Sequence, residues 1–312
     1  MKKSLKVINY QIIENIKLFI SDKKMFMILL GLPIQIGIVQ KGDLFLKKSN
    51  KNVTLWSMYL PKNGKIWKES IQYLHDSGYW YSKFYGDYPY NHITAVDGDM
   101  SAGGGMEYPN ITVISRAPSK DLLEFVIMHE VGHNWFYGIL GNNERDFTWL
   151  DEGLNEYSNI RYWEKKYGNR DNQVVIQDFV QNTLEIGKNF DIHLFHYLSV
   201  ASNPKSLDAQ PLNISADQNF NYSNYGQNYN RVAVMFRFLQ HYIGEEAMNT
   251  VMRDFYETWK FRHPRPKDLF ASFDKHVDHN LEQFFENVFD KTSYIDYSIK
   301  SSNNGFLIEN KG

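Results

Sequence analysis

The five residues His129-Glu130-Val131-Gly132-His133 constrain this chain more than any other stretch of its sequence. Upstream, Pro118 and Ser119 precede an apolar run that carries Leu122, Leu123, Val126 and Ile127 at helical spacing. Ser119 is a good helix N-cap, and Asp121 suits the positive end of the helix. Gly138 and Gly141 are expected to close it, which sets the motif in mid-helix. Residues four apart then lie one turn apart on one face. Two imidazoles so placed converge on one cation, the two-histidine half of a tetrahedral zinc site. Glu130 is rotated from His129 by about 100°. That is too far to share the ion but suits a base acting on a water beside it.

The chain has no cysteine, which excludes disulfides, thiolate nucleophiles, cysteine-held zinc and iron–sulfur clusters. A metal site must come from histidine and carboxylate. The third ligand is expected from Thr148-Trp149-Leu150-Asp151-Glu152-Gly153, with Thr148 as cap of the next helix. Eighteen residues separate His133 from Glu152. That is enough for the first helix to end, turn at Gly141-Asn142-Asn143 and return antiparallel. His129, His133 and Glu152 leave the fourth position around a single zinc ion open, the pattern of a catalytic rather than a structural site. Asp151 reads equally as a partner to a ligand imidazole or as a cap.

Basic residues number 34 and acidic residues 36, for a net charge of −2. No strong field is available to hold a polyanion, so nucleic acid is not expected as a partner. No segment reaches the roughly 20 apolar residues of a membrane-spanning helix. Met25 to Val39 is the nearest approach, but Pro33, Gln35 and Gly37 interrupt it. It reads as a buried strand pair or helix, with the apolar region of a signal sequence as the alternative. The compartment is therefore open, cytoplasmic or exported.

Tyr10 to Phe19 has the spacing of a short amphipathic helix. Asn52 to Leu60, Asn91 to Gly98 and Ile111 to Arg116 read as strands. Ile66 to Tyr85 reads as a helix broken near Gly78. Ser119 to about Tyr167 reads as two helices, and Ser202 to Asn230 as a long polar loop, of the kind that is usually functional or mobile. Val232 to Tyr242, Glu245 to Trp259, Lys267 to His276 and Leu281 to Phe289 read as helices. Strands first and helices after imply an α+β fold. Trp135 and Trp149 are expected in the core around the metal helices. His193 and His196 are expected at the surface, with cleft lining as the alternative. His276, Asp278 and His279 read as a solvated helix end.

With its flanking residues, His129-Glu130-x-x-His133 followed by Glu152 resembles the gluzincin metallopeptidases of the M1 aminopeptidase group. Gly104-Gly105-Met106-Glu107-Tyr108 is similar to that family's G-x-M-E-N signature, with Glu107 lying 22 residues before His129. Tyr229-Asn230-Arg231 is similar to its Y-x-K segment. The resemblance implies a thermolysin-like catalytic domain, a small mixed sheet followed by a mainly helical half. The sheet would carry the glycine segment on its edge beside the zinc helix. It assigns zinc to His129, His133 and Glu152, and the general base to Glu130. It gives Glu107 the free α-amino group of a peptide substrate and Tyr229 the oxyanion. Gly104, Gly105 and Met106 would lie along the substrate, where glycines permit close backbone approach. Tyr222 and Tyr225 share the loop with Tyr229, which is singled out because a helix is expected to start right after it.

Tyr108 and Arg231 depart from the family's Asn and Lys. Residues 1–50 are expected to be an N-terminal segment, a remnant of a preceding domain, residues 51–300 the catalytic domain, and 301–312 a tail. Family members usually carry a β-rich domain before the catalytic one. The reading is thus a zinc aminopeptidase, with an endopeptidase of the same fold or a catalytically silent zinc-binding chain as the alternatives.

Overall fold

The computed structural model describes residues 8–11, 37–98, 100, 103–168, 192–203, 208–292, 297–302 and 305–310. A six-stranded mixed sheet is followed by a mainly helical half, the α+β order expected. The strands are β1 (Ile8–Gln11), β2 (Ile38–Leu46), β3 (Lys51–Tyr59), β4 (His92–Asp97), β5 (Gly105–Met106) and β6 (Ile111–Ile114). Their order across the sheet is β1-β2-β3-β4-β6-β5. β3, β4 and β6 run parallel, and β5 returns antiparallel on the edge. β4 is buried along almost its whole length, as befits a central parallel strand covered on both faces.

β2 and β3 pair from Ile38↔Tyr59 to Leu46↔Lys51, so this hairpin crosses the boundary expected at residue 50. β1 includes Tyr10 and Gln11; the rest of the helix expected from Tyr10 to Phe19 lies outside the described residues, as does Met25 to 36. Val39, the second residue of β2, is buried with Met58 and Val96 on one face of the sheet.

The helices are α1 (Gly64–Trp67), α2 (Ser70–Phe84), α3 (Lys120–Gly132), α4 (Leu154–Tyr167), α5 (Ile192–Ser202), α6 (Tyr222–Ile243), α7 (Glu245–Trp259), α8 (Pro266–His276) and α9 (Glu282–Phe285). The break expected at Gly78 is absent, because α2 runs straight through it. A Cβ there would come within 2.7 Å of Leu44 and 2.9 Å of Ile93. The glycine thus lets the helix lie close on the sheet. α6 begins at Tyr222, within the stretch expected to be loop. Asn221 caps it, its side chain accepting from the Asn224 amide at 2.9 Å.

One large core joins the sheet to the helical half. Trp135 and Trp149 are fully buried in it, as expected. Each indole buries about 200 Å², worth roughly 4–5 kcal/mol as an upper estimate. A hydrogen bond nets only about 1 kcal/mol, so each of these indoles outweighs any single polar contact in holding α3 and the turn before α4 in place. A separate hairpin, β7 (Tyr297–Ser302) and β8 (Gly305–Asn310), crosses the boundary expected at residue 300. Among the described residues, no helix is long and apolar enough to cross a membrane.

Candidate active site

Ser119 caps α3 as expected, its hydroxyl accepting from the Leu122 amide at 3.2 Å. The far end differs from expectation. Regular helix stops at Gly132, with His133 as the C-cap. Beyond it the bonds lengthen to five residues: Gly138 N–H donates to the His133 carbonyl, Ile139 to Asn134 and Leu140 to Trp135. The motif therefore ends the helix instead of sitting in its middle. The histidines still share one face.

Glu152 comes from a π-helical turn, Trp149–Gly153, that leads into α4. Thr148 is not its side-chain cap; the hydroxyl donates back to the Glu144 carbonyl. A Cβ on Gly153 would lie 2.5 Å from the Asn228 carbonyl oxygen and 2.6 Å from Val232. Glycine at that position lets α6 pack directly on the turn.

Nε2 of His129 and Nε2 of His133 are 3.2 Å apart. Oε2 of Glu152 lies 3.4 Å from the first and 3.2 Å from the second. Zinc bound tetrahedrally at about 2.0–2.1 Å separates its ligand atoms by about 3.3–3.4 Å. Three lone-pair atoms thus face one another at the spacing one such ion imposes. Glu152 Oε2 is also buried without a hydrogen-bond donor, which a cation would satisfy. The donor set fits zinc.

Without an ion, the carboxylates around the histidines favour their protonated forms, and a cation would take the place of those protons. Burial opposes charge on both imidazoles, but Asp151 and Glu152 raise the pKa of His133, and Glu152 and Glu156 raise that of His129 to about 10. Burial would raise Glu152, yet the two histidines hold its carboxyl well below the usual range. Asp151 Oδ1 lies 2.7 Å from Nδ1 of His133, both side chains 1% exposed. Of the two readings open for Asp151, the partner to a ligand imidazole is the one the contacts favour.

Glu130 is 6% exposed. Burial, eased by the two histidines, pushes its carboxyl up to about 7. Gly105 of β5 lies against that carboxylate, so that any Cβ there would overlap it. Gly103 and Gly104 adopt φ of 73° and 64°, a region that favours glycine. This run brings the edge strand and Glu107 over the end of α3. Met106, next along, is the last residue of β5, and its carbonyl accepts from the Thr112 hydroxyl at 3.1 Å. Glu107 has a carboxylate oxygen within 4.8 Å of ligand atoms of His133 and Asp151.

Tyr229 lies in the third turn of α6, not ahead of a helix. Its ring stacks on His129 with centroids 6.2 Å apart. Burial and the Glu152 carboxylate raise its pKa well above the usual range, so its hydroxyl stays a donor. Tyr225 packs beside it, while Tyr222 is 95% exposed. Arg231 turns away from the site and donates to the Asn287 carbonyl at 2.7 Å. His276 pairs with Asp254 at 3.2 Å and His279 packs on Tyr242, a solvated helix end as expected.

His196 corrects the expected surface placement: it is 2% exposed and lines the cleft. The side chain of His193 lies outside the description. Glu156, which the sequence reading leaves out, joins His196 there; its place four residues after Glu152 is the signal that could have found it. These groups share a cleft of about 460 Å³ that includes Gly103–Gly105, Glu107, Phe125, Val126, Glu130, Tyr229 and Asn230.

A short edge strand laid over a helix that ends in two facing histidines, with a carboxylate brought against them, is the arrangement of a metallopeptidase. Residues 78–288 match the Peptidase family M1 domain, and the chain belongs to that family. Aminopeptidase Q of Felis catus is 24% identical over 173 residues, 54% of this chain and 16% of that protein. Glutamyl aminopeptidase of Bos taurus is 25% identical over 164 residues, 52% of this chain and 15% of that protein. The chain thus spans about a sixth of these relatives' length. The M1 zinc metallopeptidase of Deinococcus radiodurans superposes with a TM-score of 0.61 at 17% identity, covering 93% of this chain and 62% of that one. A mutant of it bound to a Tyr-Ser-Ala substrate gives 0.60 at 16% identity, with the same coverage.

Proposed function

We propose that the chain is a zinc aminopeptidase that removes the first residue of a peptide with a free N-terminus. The observation that carries the reading is the triangle of His129, His133 and Glu152 donor atoms beside the buried carboxylate of Glu130. The peptide bound to the Deinococcus radiodurans protein supports the substrate class.

His129, His133 and Glu152 would hold the ion. When bound, zinc supplies Lewis-acid polarisation of the scissile carbonyl and acidifies water to a pKa of about 7. Glu130 takes the proton from the attacking water and passes it to the leaving amine. Its burial favours this double role, since a carboxyl near neutrality both accepts and releases a proton. Tyr229 donates its hydroxyl hydrogen to the oxygen on which negative charge develops. Glu107 pairs with the substrate's ammonium group and fixes the register of cleavage to the first bond.

The test is hydrolysis of an amino-acid arylamide and of a tripeptide by zinc-loaded protein, each with free and acetylated N-terminus. Cleavage of the free forms alone is expected. Equal cleavage of acetylated peptide would make the chain an endopeptidase. Turnover no greater than that of Glu130→Gln would make it a silent zinc-binding chain.

A further inference from the structure

We infer that Glu156 and His196 are positioning residues for the metal ligand His129. The inference rests on the metal site proposed above and adds two side chains that do not touch the ion. Ligation through Nε2 leaves the imidazole proton on Nδ1. The carboxylate oxygen facing that atom is Glu156 Oε2, 3.4 Å away. Asn159 fills the same corner. Its amide nitrogen lies 2.8 Å from His129 Nδ1 and donates to Glu156 Oε2 at 2.7 Å; once Nδ1 carries the proton the amide can no longer donate to it, and the carboxylate is the acceptor in reach.

The other oxygen of Glu156 lies 3.1 Å from Nε2 of His196. Nδ1 of His196 lies 2.6 Å from Asn230 Oδ1, and the Asn230 amide donates to the Gly226 carbonyl at 3.0 Å. A continuous path therefore runs from α3 through α4 and α5 and ends on the backbone of α6. Glu156 is 5% and His196 2% exposed, so little water competes for these contacts. Each candidate ligand histidine thus has a carboxylate behind it, Asp151 for His133 and Glu156 for His129. The one behind His129 is itself held by a side chain from a separate helix. Outer partners of this kind set tautomer and ring orientation, and their loss typically weakens metal binding 10–100-fold.

The experiment measures zinc affinity by chelator competition and the visible spectrum of the cobalt(II)-loaded protein. Glu156→Gln and His196→Phe are each expected to weaken zinc binding about 10–100-fold and to shift the cobalt bands. His196→Gln, which keeps a donor toward Glu156, is expected to recover most of the affinity. Glu124→Gln is the structural control. Glu124 is a buried carboxylate of α3 bonded by Tyr162, Lys166 and Tyr167; its loss is expected to lower Tm and leave both readouts alone. Wild-type affinity and spectrum in His196→Phe or Glu156→Gln would overturn the inference. So would an equal loss in Glu124→Gln, which would mean general loosening. A wild-type protein that binds no zinc there overturns the metal reading itself. One that binds zinc and turns over, with unaltered variants, overturns only the positioning role.

Discussion

Gly105 and Glu130 are packed so closely that the edge strand leaves no room for a side chain above the carboxylate. Gly105→Ala is therefore expected to push either β5 or Glu130 aside. The clash falls on the Glu130 side chain and not on the histidines, so zinc content should hold while kcat/KM falls by about 10²-fold or more, the scale of a displaced catalytic group. Metal analysis alongside steady-state kinetics checks this. A variant with wild-type turnover would show that Glu130 has slack.

Tyr229→Phe removes only a hydroxyl from a ring stacked on His129. Loss of one donor to a developing oxyanion costs about 10²–10³ in kcat. KM for a good substrate is expected to change little, because the interaction strengthens only as charge develops. A rise in KM at constant kcat would reassign the hydroxyl to ground-state binding.

Glu107→Gln keeps shape and loses charge. For a free-amine substrate, kcat/KM is expected to fall about tenfold or more, in line with a charge-assisted bond worth about 1.5–3 kcal/mol. Any residual cleavage of an acetylated analogue, which carries no ammonium group, is expected to be unchanged. A uniform loss on both substrates would remove Glu107 from amine recognition.

Asp151→Asn leaves a neutral acceptor 2.7 Å from Nδ1 of His133. Zinc affinity is expected to fall about 10–100-fold, read by competition with a chelator of known strength. Since a ligand of the native state stabilises it in proportion to its binding, the zinc-induced rise in Tm should shrink as well.

Asp76 carries the pH dependence most open to measurement. Burial would raise its pKa, but His75 and Lys166, the latter 2.7 Å away, hold it below the usual value. A carboxylate with a depressed folded pKa stabilises the protein above its unfolded value of about 3.9 and stops doing so as pH falls through the folded one. Asp76→Asn is expected to cost about 1–3 kcal/mol at pH 7, with the gap closing toward pH 2–3. Denaturant curves at several pH values test the sign. A gap that widens in acid would contradict it.

Local signals were readable wherever the chemistry is local. Ser119 caps α3, the i, i+4 histidines meet, and eighteen residues do bring Glu152 back to them. The departures share a cause in contacts distant along the chain. Gly78 looked like a helix break but is a place where α2 presses on Leu44 and Ile93. Gly138 and Gly141 looked like the helix end, yet bonds spanning five residues take over at His133. Tyr229 reads as a loop residue because Tyr222 to Asn230 is polar, while the Asn221 cap starts α6 already at Tyr222. Nothing local could bring His196 to Glu156, because their pairing depends on how α5 lies on α4.

The packing of Gly153 beneath Asn228 ties together the residues that follow and precede them, Tyr229 and Glu152. The proposed third ligand and the proposed oxyanion donor are thereby mounted on a single joint. Heat or denaturant that pries this joint apart should release the ion and extinguish turnover at one shared midpoint, with no window in which a metal-loaded but idle enzyme accumulates.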